Sequence, residues 1–370
     1  MEVQFFPYRD FYLHDKKEYS RVLNEVLSRG AYILQKDCHE FEENSKKFLD
    51  CHDFITVANG TDALILLLRA AGIGQEDEVI MPAHTYIATA ASVFYVGAKI
   101  VLADIGYDKL IDPNSIEELI TDKTKCIMPV HVNGRICNME KIIKLAEKYN
   151  LVIIEDAAQA YGAKYKGKSA GTFGIGGGIS FYPAKVLGCF GDGGGIVTNH
   201  ESISKSVRFL RDHGRSDNGK VESWGLNSRL DNIQAAVLNY KFTKFPETLK
   251  RRIEIANMYY EGLKDCDGIT YIPVFREDKD NFDIYQNFEI CCKERNLLKD
   301  FLNKKNIKTI IQWAGMPVHK SNLSGINPDS KLPLTDKFFE ECILLPLHPL
   351  LSNEQVNYVI EMILGFYSNN

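Results

Sequence analysis

Between residues 54 and 156 short apolar runs alternate with stretches of helical periodicity. The runs at 54–57, 78–81, 99–103, 125–130 and 151–155 read as strands, and helices are expected from Thr61, from Thr85 and over 139–149. Alternation of this kind belongs to crossover units around a mostly parallel sheet. Upstream, Tyr19, Val22, Leu23, Val26 and Leu27 recur at helical spacing before Gly30, and Phe41, Phe48 and Leu49 mark a second helix. Downstream, 179–182 and 195–198 read as a hairpin, 202–212 and 230–242 as helices, and Pro246 opens a long helix to about residue 263. The remainder mixes strands at 287–292 and 308–312 with helices at 297–304 and 354–364. The pattern predicts an α/β protein: a large domain over 1–245 and a smaller C-terminal α+β domain over 246–370.

Composition narrows the function classes. A net charge of −5 and a pI near 6.0 leave no broad basic surface, so no nucleic acid partner is expected. Residues 1–10 carry no apolar signal core, and no segment reaches the roughly 18 apolar residues of a membrane span, which points to the cytoplasm. The nine cysteines are scattered and form no C-x-x-C pair, so reduced, mostly buried thiols are expected and no metal site. A small-molecule substrate fits this balance.

The chemistry gathers where ligands of such sheets bind, just beyond the carboxyl ends of the strands. Ser180-Phe181-Tyr182-Pro183-Ala184-Lys185 sets a lysine on a short loop before the glycine-rich run 188–195. Such a lysine suits condensation with a cofactor aldehyde. Pyridoxal 5'-phosphate also needs an acid at its ring nitrogen, a phosphate cup, a stacking group and a partner for its ring hydroxyl. Asp156 closes the run 151–156 and supplies the acid; Gln159 lies within reach of the ring oxygen. Asn59-Gly60-Thr61 opens a helix after a strand and offers N–H groups and a hydroxyl to an anion. Tyr86 follows the next strand and suits stacking.

The strings Val57-Ala58-Asn59-Gly60-Thr61-Asp62-Ala63-Leu64, Ile154-Glu155-Asp156-Ala157-Ala158-Gln159-Ala160, the lysine segment, Gly191-Asp192-Gly193-Gly194 and Asn227-Ser228-Arg229-Leu230-Asp231 together resemble the DegT/DnrJ/EryC/StrS family of sugar aminotransferases. The likeness runs from about Gly30 to Leu345-Pro346-Leu347-His348-Pro349. It implies the fold type I aminotransferase architecture, a homodimer with shared active sites, and pyridoxal 5'-phosphate on Lys185. It also implies Asp156 at the ring nitrogen, Gln159 at the ring hydroxyl, Tyr86 against the ring, and Gly60, Thr61 and Ser180 at the phosphate, with Asn227 arriving from the partner subunit. An amino acid, glutamate by resemblance, is the implied donor, and a nucleotide-linked keto-sugar the acceptor. Burial and a cationic neighbourhood would lower the pKa of Lys185 enough for it to act as a base.

Lys185 stands where the related sugar 3-dehydrases carry histidine, which argues for transamination. Leu187-Gly188-Cys189-Phe190-Gly191-Asp192-Gly193-Gly194 matches the pattern of members acting at carbon 3, whereas carbon-4 enzymes tend to show G-E-G-G. The small-domain segment Gln312-Trp313-Ala314-Gly315-Met316-Pro317-Val318-His319 departs from the H-Y-P-x-P-L-H of many relatives. His319, with His131 and His213, is a candidate substrate-loop residue. The rivals are amination at carbon 4, a cyclitol or open-chain keto substrate, and a non-catalytic regulator of the same fold.

Two glycine patterns carry less. Residues 162–169 satisfy G-x-x-x-x-G-K-S, yet no strand leads directly in and Ala170-Gly171-Thr172-Phe173-Gly174 is a poor helix, so an exposed hairpin is expected rather than a nucleotide loop. Ten of the 27 glycines lie between Gly171 and Gly195 and suggest close backbone approach near the cofactor.

Overall fold

The computed structural model describes residues 1–216, 218–274 and 280–368. Seven strands form the main sheet: β1 (Asp53–Val57), β2 (Glu78–Pro82), β3 (Lys99–Ala103), β4 (Thr124–Ile127), β5 (Val152–Asp156), β6 (Gly176–Ser180) and β7 (Gly194–Thr198). Their spatial order is β1-β7-β6-β5-β4-β2-β3. Neighbours from β6 through β3 pair parallel, while β7 runs antiparallel to both β6 and β1. The carboxyl ends of six strands and the amino end of β7 therefore share one edge. β6 and β7 form the expected hairpin, with Ser180 paired to Gly194 across its mouth.

Helices cover both faces, as a mostly parallel sheet requires. The helix Gly60–Ala70 buries Leu64, Leu67 and Leu68 with Val79, Met81 and Ile154 on one face. On the other, Phe41 and Phe54 pack with Phe181 and Ile153, roofed by the helix Lys36–Leu49. The amino-terminal helices are Tyr8–His14, Lys16–Arg29 and Lys36–Leu49, one more than the pattern predicts.

The helix Phe245–Leu263 carries its proline in the first turn, and Tyr259 and Leu263 join a further core with Phe288, Ile290, Ile343 and Ile363. Here strands β8 (Ile269–Tyr271), β9 (Phe288–Cys292) and β10 (Cys342–Leu345) make an antiparallel sheet in the order β8-β9-β10. The expected strand at 308–312 is instead a single bridge, Ile310 to Leu344, followed by a tight turn in which Trp313 and Ala314 take positive φ. Residues 164–165 and 168–169 form the expected hairpin, which turns through Lys166 and Gly167 and is joined by 281–282. The nine cysteines are free. Among the described residues no helix is long and apolar enough to cross a membrane, and no cluster of ligating side chains could hold a metal.

Candidate active site

Lys185 sits in the loop between β6 and β7, half-buried, its backbone N–H donating to the Tyr182 carbonyl at 2.8 Å. Burial pushes its amine down to about 8, against the opposing pull of Asp156. Of the two expected causes burial acts, whereas the charge that reaches the amine is the negative one of Asp156 and not a cation's.

Asp156 ends β5 with its carboxylate buried. Oδ2 accepts from the Thr89 hydroxyl at 2.6 Å and Oδ1 from the Ala158 N–H at 3.1 Å. Thr89 is itself bonded to Thr85 at 2.6 Å, so the first turn of the helix Ile87–Tyr95 and the loop before it fix the carboxylate. Glu155, one residue earlier, faces the opposite side of the strand. Its oxygens accept from the N–H groups of Gly171 at 2.7 Å, Phe173 at 2.6 Å and Gly174 at 2.9 Å, and from His131 Nε2 at 2.9 Å.

That arrangement corrects the reading of several glycines. A Cβ on Gly177 would lie 2.4 Å from Gly171 Cα, and one on Gly174 would lie 2.1 Å from the Ile153 carbonyl oxygen. These residues let a loop close over Glu155 inside the core and do not line a cofactor. Gly60 and Gly194 do lie at the sheet edge: a Cβ on Gly60 would stand 3.0 Å from Ser180 Cβ, and one on Gly194 would stand 2.4 Å from the Asn59 carbonyl. The Asn59 side chain caps Asp62 N–H at 2.8 Å, which leaves the N–H groups of Gly60 and Thr61 at the open helix end beside the Ser180 hydroxyl.

Gln159 Oε1 accepts from the backbone N–H of Asn133 at 2.7 Å. The other amide face, Nε2, is left as a donor. Asn133 sits at φ 57 with its side chain held by Glu289, by Gln312 at 3.1 Å and by Asn287 at 2.7 Å. Glu289 also binds the buried guanidinium of Arg135.

The remaining candidates separate. Tyr86 is 58% exposed at the amino end of its helix, with a face free to cover a ring. Asn227 is exposed, while its neighbour Ser228 is buried and accepts from Ala58 N–H at 3.2 Å, tying that loop to the end of β1. His131 is fully buried, Nδ1 accepting from Cys137 N–H at 3.3 Å and Nε2 bonded to Glu155, which leaves neither nitrogen for a ligand. His319 is buried against Asp336 at 2.9 Å, and His213 is an exposed turn residue at φ 63. Neither shares a hydrogen bond with the groups around Lys185. Thr89 and Asn133 escape sequence reasoning: the first shows only as a hydroxyl one turn along from Thr85, the second gives no local signal.

These residues fit pyridoxal 5'-phosphate by their chemistry. The half-buried amine, the anchored carboxylate, the unpaired amide donor and the open helix end with a hydroxyl face one sheet edge. Beside the lysine loop a cavity of about 700 Å³ is walled by Tyr8, Phe11, Tyr12, Phe190 and Arg251.

The model of the DegT/DnrJ/EryC1/StrS aminotransferase family matches residues 14–364. The chain is 38% identical to the dTDP-3-amino-3,6-dideoxy-alpha-D-galactopyranose transaminase of Aneurinibacillus thermoaerophilus, over 98% of each chain. Among solved structures it is similar to S. venezuelae DesV in complex with a ketimine intermediate, with a TM-score of 0.94 and 34% identity over 99% of this chain and 98% of that one. It is also similar to NtdA from Bacillus subtilis with bound cofactor PMP, with a TM-score of 0.91 and 29% identity over 99% of this chain and 85% of that one.

Proposed function

Because this chain belongs to the DegT/DnrJ/EryC1/StrS aminotransferase family, with pyridoxal 5'-phosphate as cofactor, we propose that it moves an amino group from L-glutamate to carbon 3 of a nucleotide-linked keto-sugar. The product is an aminodeoxy sugar for a surface polysaccharide or secondary metabolite. The observation that carries the reading is the half-buried Lys185 beside Asp156 at the same strand ends, its charged form disfavoured by burial and favoured by the carboxylate.

When bound, the cofactor supplies an aldehyde carbon and a ring that withdraws electrons from the substrate carbon. Lys185 would hold that aldehyde through its amine, and the same amine, when free, would serve as the base that moves a proton at that point. Asp156, oriented by Thr89 and Ala158, would hold the proton at the ring nitrogen. Gln159 would offer Nε2 to the ring oxygen, since Asn133 occupies Oε1. Gly60, Thr61 and Ser180 would take the phosphate and Tyr86 would cover the ring, and in a homodimer Asn227 would serve the site of the partner subunit. The aromatic rim of the cavity offers stacking faces for a nucleotide base. For carbon 3 the support is Asp192 within its Gly191–Gly194 run and the 3-amino product named for the A. thermoaerophilus relative.

Purified wild type should acquire visible absorption with the cofactor, aminate a keto-sugar nucleotide over many turnovers, and place the new C–N bond at carbon 3 by NMR. Lys185→Ala should abolish multiple turnover. Full turnover by Lys185→Ala would sink the assignment, and a C–N bond at carbon 4 would overturn the regiochemistry alone.

A further inference from the structure

The backbone on either side of Lys185 is held from 100 residues away in the chain. Gln286 Nε2 donates to the Ala184 carbonyl at 2.8 Å, and Gln286 Oε1 accepts from the Val186 N–H at 2.8 Å. A carboxamide carries one donor and one acceptor in a plane, as a peptide group does. Here it reads the carbonyl before the lysine and the N–H after it, as a neighbouring strand would. Neither backbone group has another hydrogen-bond partner among the described residues.

The amide is itself immobile. Gln286 is buried, and its backbone N–H donates to the Asn133 carbonyl at 2.9 Å. Its carbonyl accepts from Arg252 Nη2 at 2.6 Å, and the same guanidinium binds the Tyr285 carbonyl through Nη2 at 2.9 Å and Nε at 3.1 Å. Close approach requires Gly134, at φ +81: a Cβ there would meet Ile284 Cγ1 at 2.6 Å and Gln286 N at 3.0 Å. The lysine loop has no regular secondary structure of its own at 184–186, so its backbone position depends on this contact.

We propose that Gln286 is a positioning residue for Lys185, a two-point hold through which the segment leading into β9 sets where the lysine backbone stands and hence where its amine can reach. The role rests on the reading of Lys185 as the cofactor lysine. Because Asn133 receives the Gln286 N–H and donates to Gln159, the same segment also supports the amide aimed at the ring oxygen. Both groups are thereby referred to one rigid strut.

Two variants test it. Gln286→Met keeps length and volume but neither hydrogen bond; Gln286→Glu keeps an acceptor for Val186 N–H and turns a second acceptor on the Ala184 carbonyl. In cofactor-free protein, Val186 amide exchange should quicken on the order of tenfold or more in Gln286→Met and stay near wild type in Gln286→Glu, with β5 amides unmoved in both. In the loaded enzyme, kcat should fall on the order of 10²-fold in Gln286→Met with KM for the amino donor within about twofold, and by less in Gln286→Glu. Wild-type exchange at Val186 in Gln286→Met overturns the hold, and undiminished kcat in either variant overturns its role in positioning. If Gln286→Met does not fold, the Gln286→Glu kcat decides. Exchange is read without cofactor, so failure of the Lys185 assignment would show in Lys185→Ala and not at Val186.

Discussion

The acid–base behaviour of Lys185 is set by burial and by one neighbouring carboxylate, which pull in opposite directions. Burial disfavours its charged form and Asp156 favours it, and burial wins, leaving the amine at about 8. Only the neutral amine attacks an aldehyde. The rate at which cofactor-free enzyme captures pyridoxal 5'-phosphate should therefore rise with pH through about 8 and level off above it. Asp156→Asn removes the contribution that raises the pKa, so the midpoint should move lower; stopped-flow absorbance measures both, and an upward shift would contradict the electrostatics. At this scale the sequence was informative because the chemistry demands particular side chains just after particular strands. Lys185, Asp156 and Gln159 were visible for that reason. Thr89, Asn133 and Gln286 were not, because each acts through a contact that only folding creates, at separations of 67, 26 and 100 residues.

Elements of the main sheet follow the apolar pattern closely, since strands buried on both faces are continuous hydrophobic runs. β6 is the exception, because three of its five residues are glycines and no hydrophobic run announces its first half. Those glycines admit the helix Gly60–Ala70 on one side and the Gly171 loop on the other. Gly177→Ala should drive a methyl into that loop and loosen the N–H groups around Glu155, costing about 1–3 kcal/mol. Urea unfolding would show it as a lower midpoint, and an unchanged midpoint would mean the loop yields freely. The missing strand at 308–312 has a similarly local cause: positive φ at Trp313 and Ala314 bends the chain away after one bridge. Alternating polarity alone carries no information about such a bend.

For the whole molecule, the sequence pattern predicts a large domain over 1–245 and a smaller one over 246–370, and the structure contains a main sheet with its own cores and a second antiparallel sheet with another. We propose the division at 245/246 as the boundary between units, on the grounds that the helix Phe245–Leu263 starts in the main-sheet core with Phe245 and Leu249 and runs into the second core with Ile255, Tyr259 and Leu263. Asn227 and the 88% exposed Trp224 lie on the same outward segment, which suits a surface that a second copy covers. Mixing Lys185→Ala with Asn227→Ala chains should restore activity on the order of a quarter of wild type if each site borrows Asn227 from its partner, since one hybrid site then carries both native residues. No recovery in a proven heterodimer would place Asn227 in its own subunit's site.

The antiparallel β7 has a bearing on how such an enzyme changes over evolutionary time. Because Ser180 and Gly194 are paired neighbours, the intervening segment leaves and re-enters the sheet at one point. Its length is therefore uncoupled from strand register. Doubling a loop costs only about 0.6 kcal/mol in closure entropy. Leu187 and Cys189 anchor the stretch after Lys185 in the core, and the exposed Phe190 is the position where it can change the cavity wall while the lysine and the carboxylate stay in place. A lone reversed strand thus gives the fold a region where substrate range can drift independently of chemistry.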